Sequence, residues 1–450
     1  MKQEDNFFDI GGHSLLATQL VYLLRKQFNV DFPLKLLFST PTLRDMATSV
    51  DIYLNNNEKK LDNEGEGTFI CDAFIQHDWM HTRQLNSSKS INVLLTGATG
   101  FLGIYLLRSL LQQLTCKIIC LVRATDSSAG LNRIIKNAHI YGIGHDIDFS
   151  RVEVVVGDVA KENFGLTEEE YQSLSESVSK IYHAAAHINF ILPYSSVKEV
   201  NVDGILEIIN FCSHYERKEL EYVSTIAVFP PDYPKQPITE ESLPNYPNSL
   251  SIGYTQSKWV AEQYVQQARY QGVDINIYRI GRISGDSVTG ACQEEDFLWR
   301  QIKSFIQMGI APYPELLSTD LLPVDFVSKA IVALSVSNKI HGHQNFHLFH
   351  PKGTDFTPIY LAIRQKVHDI TTTSESDWLE KLEKMVVKGD DVALGSLIHL
   401  FKENALNIGN NTYNNQSTHE AIKSLGLDFP DINVKTFERL LSYFMDKEII

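Results

Sequence analysis

Tyr254 and Lys258 stand four residues apart in "GYTQSKWVAE", a spacing that puts both side chains on one face of a helix. An ammonium beside a phenol favours the phenolate, so the pair is expected to bring the tyrosine pKa down toward the working pH. Such a tyrosine can give a proton to a carbonyl oxygen as hydride reaches the carbon. Upstream, "VSTIAV" supplies Ser224 and Thr225, and either hydroxyl could bond the same carbonyl. Strand alternation sends the two to opposite faces, so only one serves, and Thr225 is the expected one. The Tyr–Lys spacing by itself is common by chance, and its meaning rests on the elements around it.

A second chemical signal is "VLLTGATGFLG". Gly97, Gly100 and Gly103 follow a strand pattern and open a helix. Glycines there permit a tight turn and a close approach of backbone to a pyrophosphate, and the helix start offers free N–H groups. Thr99, Phe101 and Leu102 complete that turn and are counted with the glycines as nucleotide contacts. The G-x-x-G-x-x-G spacing differs from the G-x-G-x-x-G of simple dehydrogenases, but the full strand–turn–helix context points to dinucleotide binding. The next strand ends in "CLVRA", where NAD-binding folds usually place an acid for the ribose hydroxyls. Arg123 stands there instead, and a guanidinium suits a 2′-phosphate. Arg133 could assist; the alternative is two solvated surface arginines. "VVGDV" puts Asp158 and Val159 just past a third strand. Asp158 there either meets the adenine or caps a helix.

Positioning these groups requires an alternating fold, and the sequence reads as one from Ile91 onward. "INVLLTG", "KIICLVR", "VEVVVGD", "SKIYHAAA", "LEYVSTIAVF" and "INIYRIGRISG" read as six strands, with helical stretches between most of them. This predicts an α/β fold, a Rossmann-type doubly wound parallel sheet over 91–290 with helices on both faces. Residues 291–450 read as mainly helical and irregular, a subdomain that shapes a substrate pocket. The asparagine-rich "NIGNNTYNNQ" (407–416) reads as a surface loop. Ahead of the sheet, residues 68–90 read as a connecting arm and 55–67, "NNNEKKLDNEGEG", as a polar linker. Residues 1–54 read as a small helical unit. Ser14 can cap a helix to about Phe28 with Leu15, Leu16, Leu20, Leu23 and Leu24 at helical spacing, and Thr42 caps a last helix through about Tyr53.

The chain has 450 residues, 43% hydrophobic and 21% charged, with a net charge of −15 and no basic run. Nucleic-acid binding is therefore not expected, since phosphate contacts need clustered Lys and Arg. Five scattered cysteines, with Cys116 and Cys120 flanking a strand, read as reduced core thiols in a cytoplasmic setting. "MKQEDNFF" lacks the apolar core of a signal peptide. The longest uncharged run, Ile91–Leu107, is short for a membrane span and is broken by three glycines and two threonines. No membrane association is expected. His183 and His187 in "HAAAHIN" have no third ligand nearby, so no metal is expected either.

Taken together, "TGATGFLG", "LVRA", "GDV", "VSTIAV", "YTQSKWVAE" and "RIGRISG" resemble the extended short-chain dehydrogenase/reductase superfamily. Within it they resemble the carrier-protein-linked thioester reductase domains that end non-ribosomal peptide synthetases, some polyketide synthases, aminoadipate reductases and carboxylic acid reductases. The resemblance covers roughly residues 70–450. It implies Thr225, Tyr254 and Lys258 as the catalytic set, with Lys258 also holding the nicotinamide ribose. It implies NADPH bound by Gly97, Gly100, Gly103, Arg123 and Asp158, joined by Thr99, Phe101, Leu102, Arg133 and Val159. Ala184, where relatives often carry a polar residue, and Ile280, where a proline is frequent, depart from the pattern near the nicotinamide side.

"DNFFDIGGHSLLATQL" resembles the core motif of peptidyl carrier proteins, which makes Ser14 the implied attachment site of a 4′-phosphopantetheine arm. A helix start favours the arm's phosphate, and Gly11–Gly12 leave room for it. The implied partners are a phosphopantetheinyl transferase, upstream synthetase domains and a carrier-bound acyl or peptidyl thioester. Carrier domains normally begin with a helix ahead of this motif, and six residues precede Phe7 here; the expectation is a partial carrier, either a fragment or a degenerate unit. The activity implied is NADPH-dependent release of the thioester as an aldehyde, or onward to an alcohol. The rivals are a nucleotide-sugar epimerase or dehydratase, a fatty acyl reductase acting on coenzyme A thioesters, and a non-catalytic dinucleotide sensor. The first two would not need the carrier serine, and the third could lack the Tyr–Lys pair.

Overall fold

Val93, Leu94 and Leu95 are apolar without alternation, as a strand covered on both faces must be. They form the middle of β1 (Asn92–Thr96), an interior strand of a seven-stranded sheet in this computed structural model. The structure describes residues 41–55, 68–79, 92–214, 217–337, 344–398 and 411–450, with scattered positions among the first forty. The other strands are β2 (Ile118–Val122), β3 (Val152–Val156), β4 (Val178–His183), β5 (Glu219–Thr225), β6 (Ile275–Ile280) and β7 (Asn345–Leu348). They lie in the order β3–β2–β1–β4–β5–β6–β7, all parallel. The order reverses between β1 and β4, and ligands bind such sheets in the crevice outside the carboxyl ends of the strands at that point.

Successive β1 side chains serve two cores. Leu94 joins Ile181, Leu220 and Ile277 beneath α5 (Gly204–Ser213) and α6 (Gly253–Tyr270). Val93 and Leu95 join Cys120 and Tyr182 beneath α2 (Phe101–Gln113) and α8 (Val324–Ser335), whose Ser109 and Ser328 hydroxyls meet at 3.1 Å. After β2, α3 (Ser127–Ile140) starts on the side chain of Asp126. α4 (Glu168–Ser177) starts on a Thr167–Glu170 capping box. The later helices are α7 (Phe297–Met308), α9 (Thr357–Lys366), α10 (Glu375–Lys388), α11 (Gln416–Ser424) and α12 (Val434–Asp446).

The region after residue 290 is mainly helical, as expected, but α8 and β7 also extend the sheet core into it. β7 is four residues long and carries the fully buried His347, so it lacks the apolar run that marks a strand. The asparagine-rich patch is a loop at the surface, as expected, and is tied down where it is described. Backbone bonds join Ile238 to Thr412 and Asn414 at 2.8 Å each. Asn411 Nδ2 donates to the Pro230 carbonyl at 2.7 Å, and the buried Asn415 donates to that of Phe349 at 2.8 Å. The asparagines supply hydrogen bonds to backbone that forms no sheet. Residues 407–410 lie outside the described residues.

In the arm, Phe69 packs edge-on against Trp259 at 5.7 Å, and Trp79 Nε1 donates to Asn210 at 3.0 Å. These contacts moor residues 68–79 to α5 and α6. The N-terminal unit shows α1 (Leu43–Asn55), capped as expected by Thr42, whose Oγ1 accepts the Asp45 N–H at 3.2 Å. Ala17, Val21, Leu37, Met46 and Val50 are buried together, with Leu20 and Leu24 against them, whereas Leu23 is 58% exposed. Ser14, Leu15, Leu16, Gly11 and Gly12 lie outside the described residues, as does the linker after residue 55. The five cysteines are free. Cys120 lies inside β2 rather than beside it, and Cys71 is exposed, so not all are core thiols. Among the described residues no helix is long and apolar enough to cross a membrane.

Gly103 shows how tightly α2 sits on the β1 turn. A Cβ at that position would lie 1.9 Å from the Gly97 carbonyl oxygen, and backbone cannot swing aside as a side chain can. Gly103→Ala is expected to destabilise the fold by about 1–3 kcal/mol through overpacking, measurable by denaturant unfolding; unchanged stability would show that the turn yields.

Candidate active site

The turn after β1 is shaped by what it must avoid. Gly97 has φ +81°, and a Cβ on it would meet the Ala184 and Ala185 backbone at 2.7–2.9 Å. The chain ends of β1 and β4 therefore touch directly. The Gly100 N–H closes the turn on the Gly97 carbonyl at 2.8 Å. Gly100 then serves as N-cap of α2 without any side-chain cap. The first N–H groups of that helix, on Phe101, Leu102 and Gly103, have no acceptor within the helix. Together with the dipole they make a site for a pyrophosphate. Thr99 is half-buried within the turn.

At the end of β2, Arg123 is exposed, and the Arg133 guanidinium donates to its carbonyl oxygen. α3 thus brings the second arginine beside the first. Neither is paired with a carboxylate among the described residues, which suits an incoming phosphate. At the end of β3, Asp158 Oδ1 accepts the Ala160 N–H at 3.2 Å, and its own N–H reaches Phe164 O at 2.9 Å. Its carboxylate therefore holds a local turn just past the end of β3; Val159 beside it is buried in the core under α5. These observations fit a phosphorylated dinucleotide laid across the ends of β1, β2 and β3.

A cavity of about 620 Å³ opens from the glycine turn. Gly97, Gly100, Phe101, Leu102 and Gly103 line one end; Thr225, Tyr254 and Lys258 line a wall of the same cavity. Thr99 in the turn, Arg123, Asp158 and Val159 just past β2 and β3, and Arg133 on α3 do not line it. The structure thus gathers part of the expected groups in one cavity and leaves the rest outside its lining.

Thr225 is the last residue of β5, and its Oγ1 accepts the Ala227 N–H at 3.2 Å. The neighbouring Ser224 points inward, donating to Glu262 Oε2 at 2.8 Å, which is the division of faces that alternation requires. α6 begins at Gly253, where a Cβ would strike the Leu192–Tyr194 backbone at 2.5 Å. Only a glycine lets the helix start this close to that segment. Tyr254 follows, edge-on to Phe190 at 6.0 Å. One turn on, the buried Lys258 donates to the Val223 carbonyl at 2.8 Å and lies 4.3 Å from the Tyr222 ring centre.

The electrostatics differ from the expectation for this pair. Burial raises the Tyr254 pKa above its ordinary value instead of bringing it down. Burial also pushes Lys258 down to about 7, with Glu262 opposing that shift. The reason is burial, which disfavours the charged form of each group; the Lys258 amine donates to the Val223 carbonyl. The phenol keeps its proton at neutral pH, which suits a proton donor. His183, set aside above as a metal ligand, bonds the Thr96 hydroxyl at 2.8 Å and is held neutral by burial, its pKa pushed down to about 3. His187 uses its backbone on Asn201. Ala184 and Ile280 both line the cavity, so the departures from the family pattern fall on its surface.

Sequence reading missed the far wall of the cavity, where Phe297, Leu298 and Trp299 of α7 stand with Arg282 and Asp296. No periodic signal joins these to Tyr254. It also missed Glu262, although "SKWVAE" places that acid one helical turn beyond Lys258.

The family model described as Male sterility protein matches residues 95–331, and that of the phosphopantetheine attachment site matches residues 1–50. One of the chains of the linear gramicidin synthase of Brevibacillus parabrevis is 36% identical over 448 residues, 98% of this chain and 9% of that protein. The chain spans 31% of the length of each of the next two curated relatives. Among solved structures, the terminal R domain of the myxalamid PKS-NRPS pathway is 32% identical with a TM-score of 0.78, covering 86% of this chain and 98% of that one. A thiolation-reductase di-domain from an archaeal non-ribosomal peptide synthetase covers 100% of this chain and 94% of its own, with a TM-score of 0.76. Its 24% identity speaks to the fold alone. With the first model spanning more than half of its length and the myxalamid domain matched almost throughout, this chain belongs to the Male sterility protein family of NAD-binding reductases, among the carrier-linked terminal reductase domains of peptide synthetases.

Proposed function

We propose that the chain reductively releases an acyl or peptidyl thioester, carried on a phosphopantetheine arm at Ser14, as an aldehyde. The observation that carries this reading is the single cavity with Thr225, Tyr254 and Lys258 on one wall and the glycine turn with the start of α2 at its end. In this reading residues 1–54 are the carrier, 55–67 the linker and 68–450 the reductase, with the cargo lodged between the strand ends and α7. Upstream synthetase domains load the thioester and a phosphopantetheinyl transferase installs the arm. The free cysteines and the use of NADPH suit the cytoplasm. A sugar-nucleotide or coenzyme A substrate would leave residues 1–50 without a role.

The α2 start would hold the pyrophosphate, and Arg123 with Arg133 the 2′-phosphate. NADPH supplies the hydride that reaches the thioester carbonyl carbon. The Thr225 hydroxyl and the Tyr254 phenol stabilise the oxyanion, and Tyr254 gives it a proton. Lys258 orients the nicotinamide ribose and stabilises the phenolate that remains. The hemithioacetal then expels the arm's thiol and leaves the aldehyde. A second round at the same wall would give the alcohol.

Tyr254→Phe keeps the ring against Phe190 and removes the donor. It is expected to bind NADPH nearly as wild type while turnover of a carrier-bound thioester drops by about 10²–10⁴-fold; reduction near the wild-type rate would sink the assignment.

Arg123→Ala tests the cofactor. Loss of a charge-assisted contact costs about 1.5–3 kcal/mol, so NADPH affinity should fall roughly ten- to a hundredfold while NADH affinity barely moves. Equal losses in titrations with both nucleotides would show that Arg123 does not read the phosphate.

Ser14→Ala tests the carrier. Mass spectrometry after incubation with a phosphopantetheinyl transferase and coenzyme A should find one arm on the wild-type chain and none on the variant. The variant should still reduce a free small-molecule thioester. An arm on the variant would place the attachment site elsewhere.

A further inference from the structure

The floor behind Lys258 holds a buried ion pair that the proposed mechanism does not use. Glu262 lies one turn beyond Lys258 and two beyond Tyr254 on α6, and it has no exposure to solvent. Its Oε1 accepts Arg279 Nε at 2.9 Å and also bonds the second terminal nitrogen of that guanidinium. Its Oε2 accepts the Ser224 hydroxyl at 2.8 Å. Arg279, on β6 and equally buried, donates onward to the Ser242 carbonyl at 2.9 Å and meets His347 Nε2 of β7 at 3.2 Å. The carboxylate is thus fully engaged, on a helix face that the two proposed catalytic residues share.

We propose, on the reading of this site as a thioester reductase, that Glu262 is a positioning residue. It holds the Ser224 hydroxyl away from the cavity so that Thr225 alone serves the carbonyl, and it provides the fixed negative charge of the Lys258 site. Two observations independent of each other support this. Ser224 belongs to the cavity lining beside Thr225, and its hydroxyl, sent to the opposite face by strand alternation, is fixed there by Glu262 Oε2 at 2.8 Å. The titratable groups facing Lys258 are His183 from β4, Tyr222 from β5, and Tyr254 and Glu262 from its own helix, with Arg279 of β6 reached through Glu262. Burial holds His183 neutral, and it raises Tyr254 and Tyr222. Glu262 is therefore the one anion in this set.

The sign of the effect follows. Burial drives Lys258 toward the neutral amine, and the carboxylate opposes it. Removing the carboxylate lets Lys258 lose its proton at lower pH, so the alkaline limb of the pH–kcat profile moves down. An opposite charge at close range is worth about one to three pH units, and Glu262 makes no ion-pair contact with Lys258 and shares its charge with Arg279, so the lower end applies. For Glu262→Gln, a displacement of about one unit is expected, with NADPH affinity little changed. Gln leaves Arg279 buried without its counter-ion, which can unfold a protein, so a second variant accompanies it. Glu262→Met/Arg279→Met removes both charges together, a replacement that folded proteins often tolerate. It should show a downward displacement smaller than that of Glu262→Gln, because the guanidinium that opposes the carboxylate is removed with it. Either variant that is folded by circular dichroism, binds NADPH, and keeps the wild-type alkaline limb would overturn the proposal. Tyr254→Phe, run alongside, separates this from a failure of the reductase reading itself, since that failure would leave Tyr254→Phe active.

Discussion

The contact on which the site most depends is the buried pair of Arg279 and Glu262. Each lies in a different layer, one on β6 and one on α6, and neither touches solvent. Burying two charges is costly unless the geometry is good and the remaining polar atoms are satisfied. Here they are, through Ser224 of β5, His347 of β7 and the carbonyls of Glu240 and Ser242. Glu240 in turn accepts both the N–H and the hydroxyl of Thr418 on α11. One charge pair thereby sets the height of α6 on the sheet, and Tyr254 and Lys258 ride on that helix. A purely apolar contact between α6 and β6 would allow sliding that this network does not.

The second constraint acts at the other end of the cavity. Gly97 against Ala184–Ala185 and Gly103 against Gly97 bring β1, β4 and α2 closer than any side chain permits. The helix start then faces the crevice with its N–H groups free for an anion. Charge for the nucleotide comes from backbone dipoles and two exposed arginines, in a chain of net charge −15. Local donors, not the overall field, govern such a site.

Between these ends Lys258 is buried and Tyr254 half-buried, and that burial governs the chemistry. It raises the phenol and lowers the amine. The phenol keeps its proton, while burial pushes the lysine down to about 7. The neighbouring carboxylate counts for more in that setting, because charges interact more strongly where water is excluded.

The sequence by itself determined the local chemistry and the sheet's first six strands. The turn glycines, Arg123 at a strand end, Thr225 against Ser224, and the Tyr254–Lys258 spacing are encoded within a few residues, and periods of two and 3.6 report them directly. It did not reveal β7, whose four residues centre on a histidine, nor the bonding of Asn411–Asn415 to the loop at Ile238. Tertiary structure alone decided three things: which far wall, built from Phe297–Trp299, faces Tyr254; which partner holds Ser224; and the direction of the Tyr254 pKa. Each depends on groups distant in sequence being brought together and shielded from water. The spacing of Tyr254 and Lys258 says that they are neighbours, but only packing says how little solvent they share, and that is why their titration departs from what adjacency alone implies.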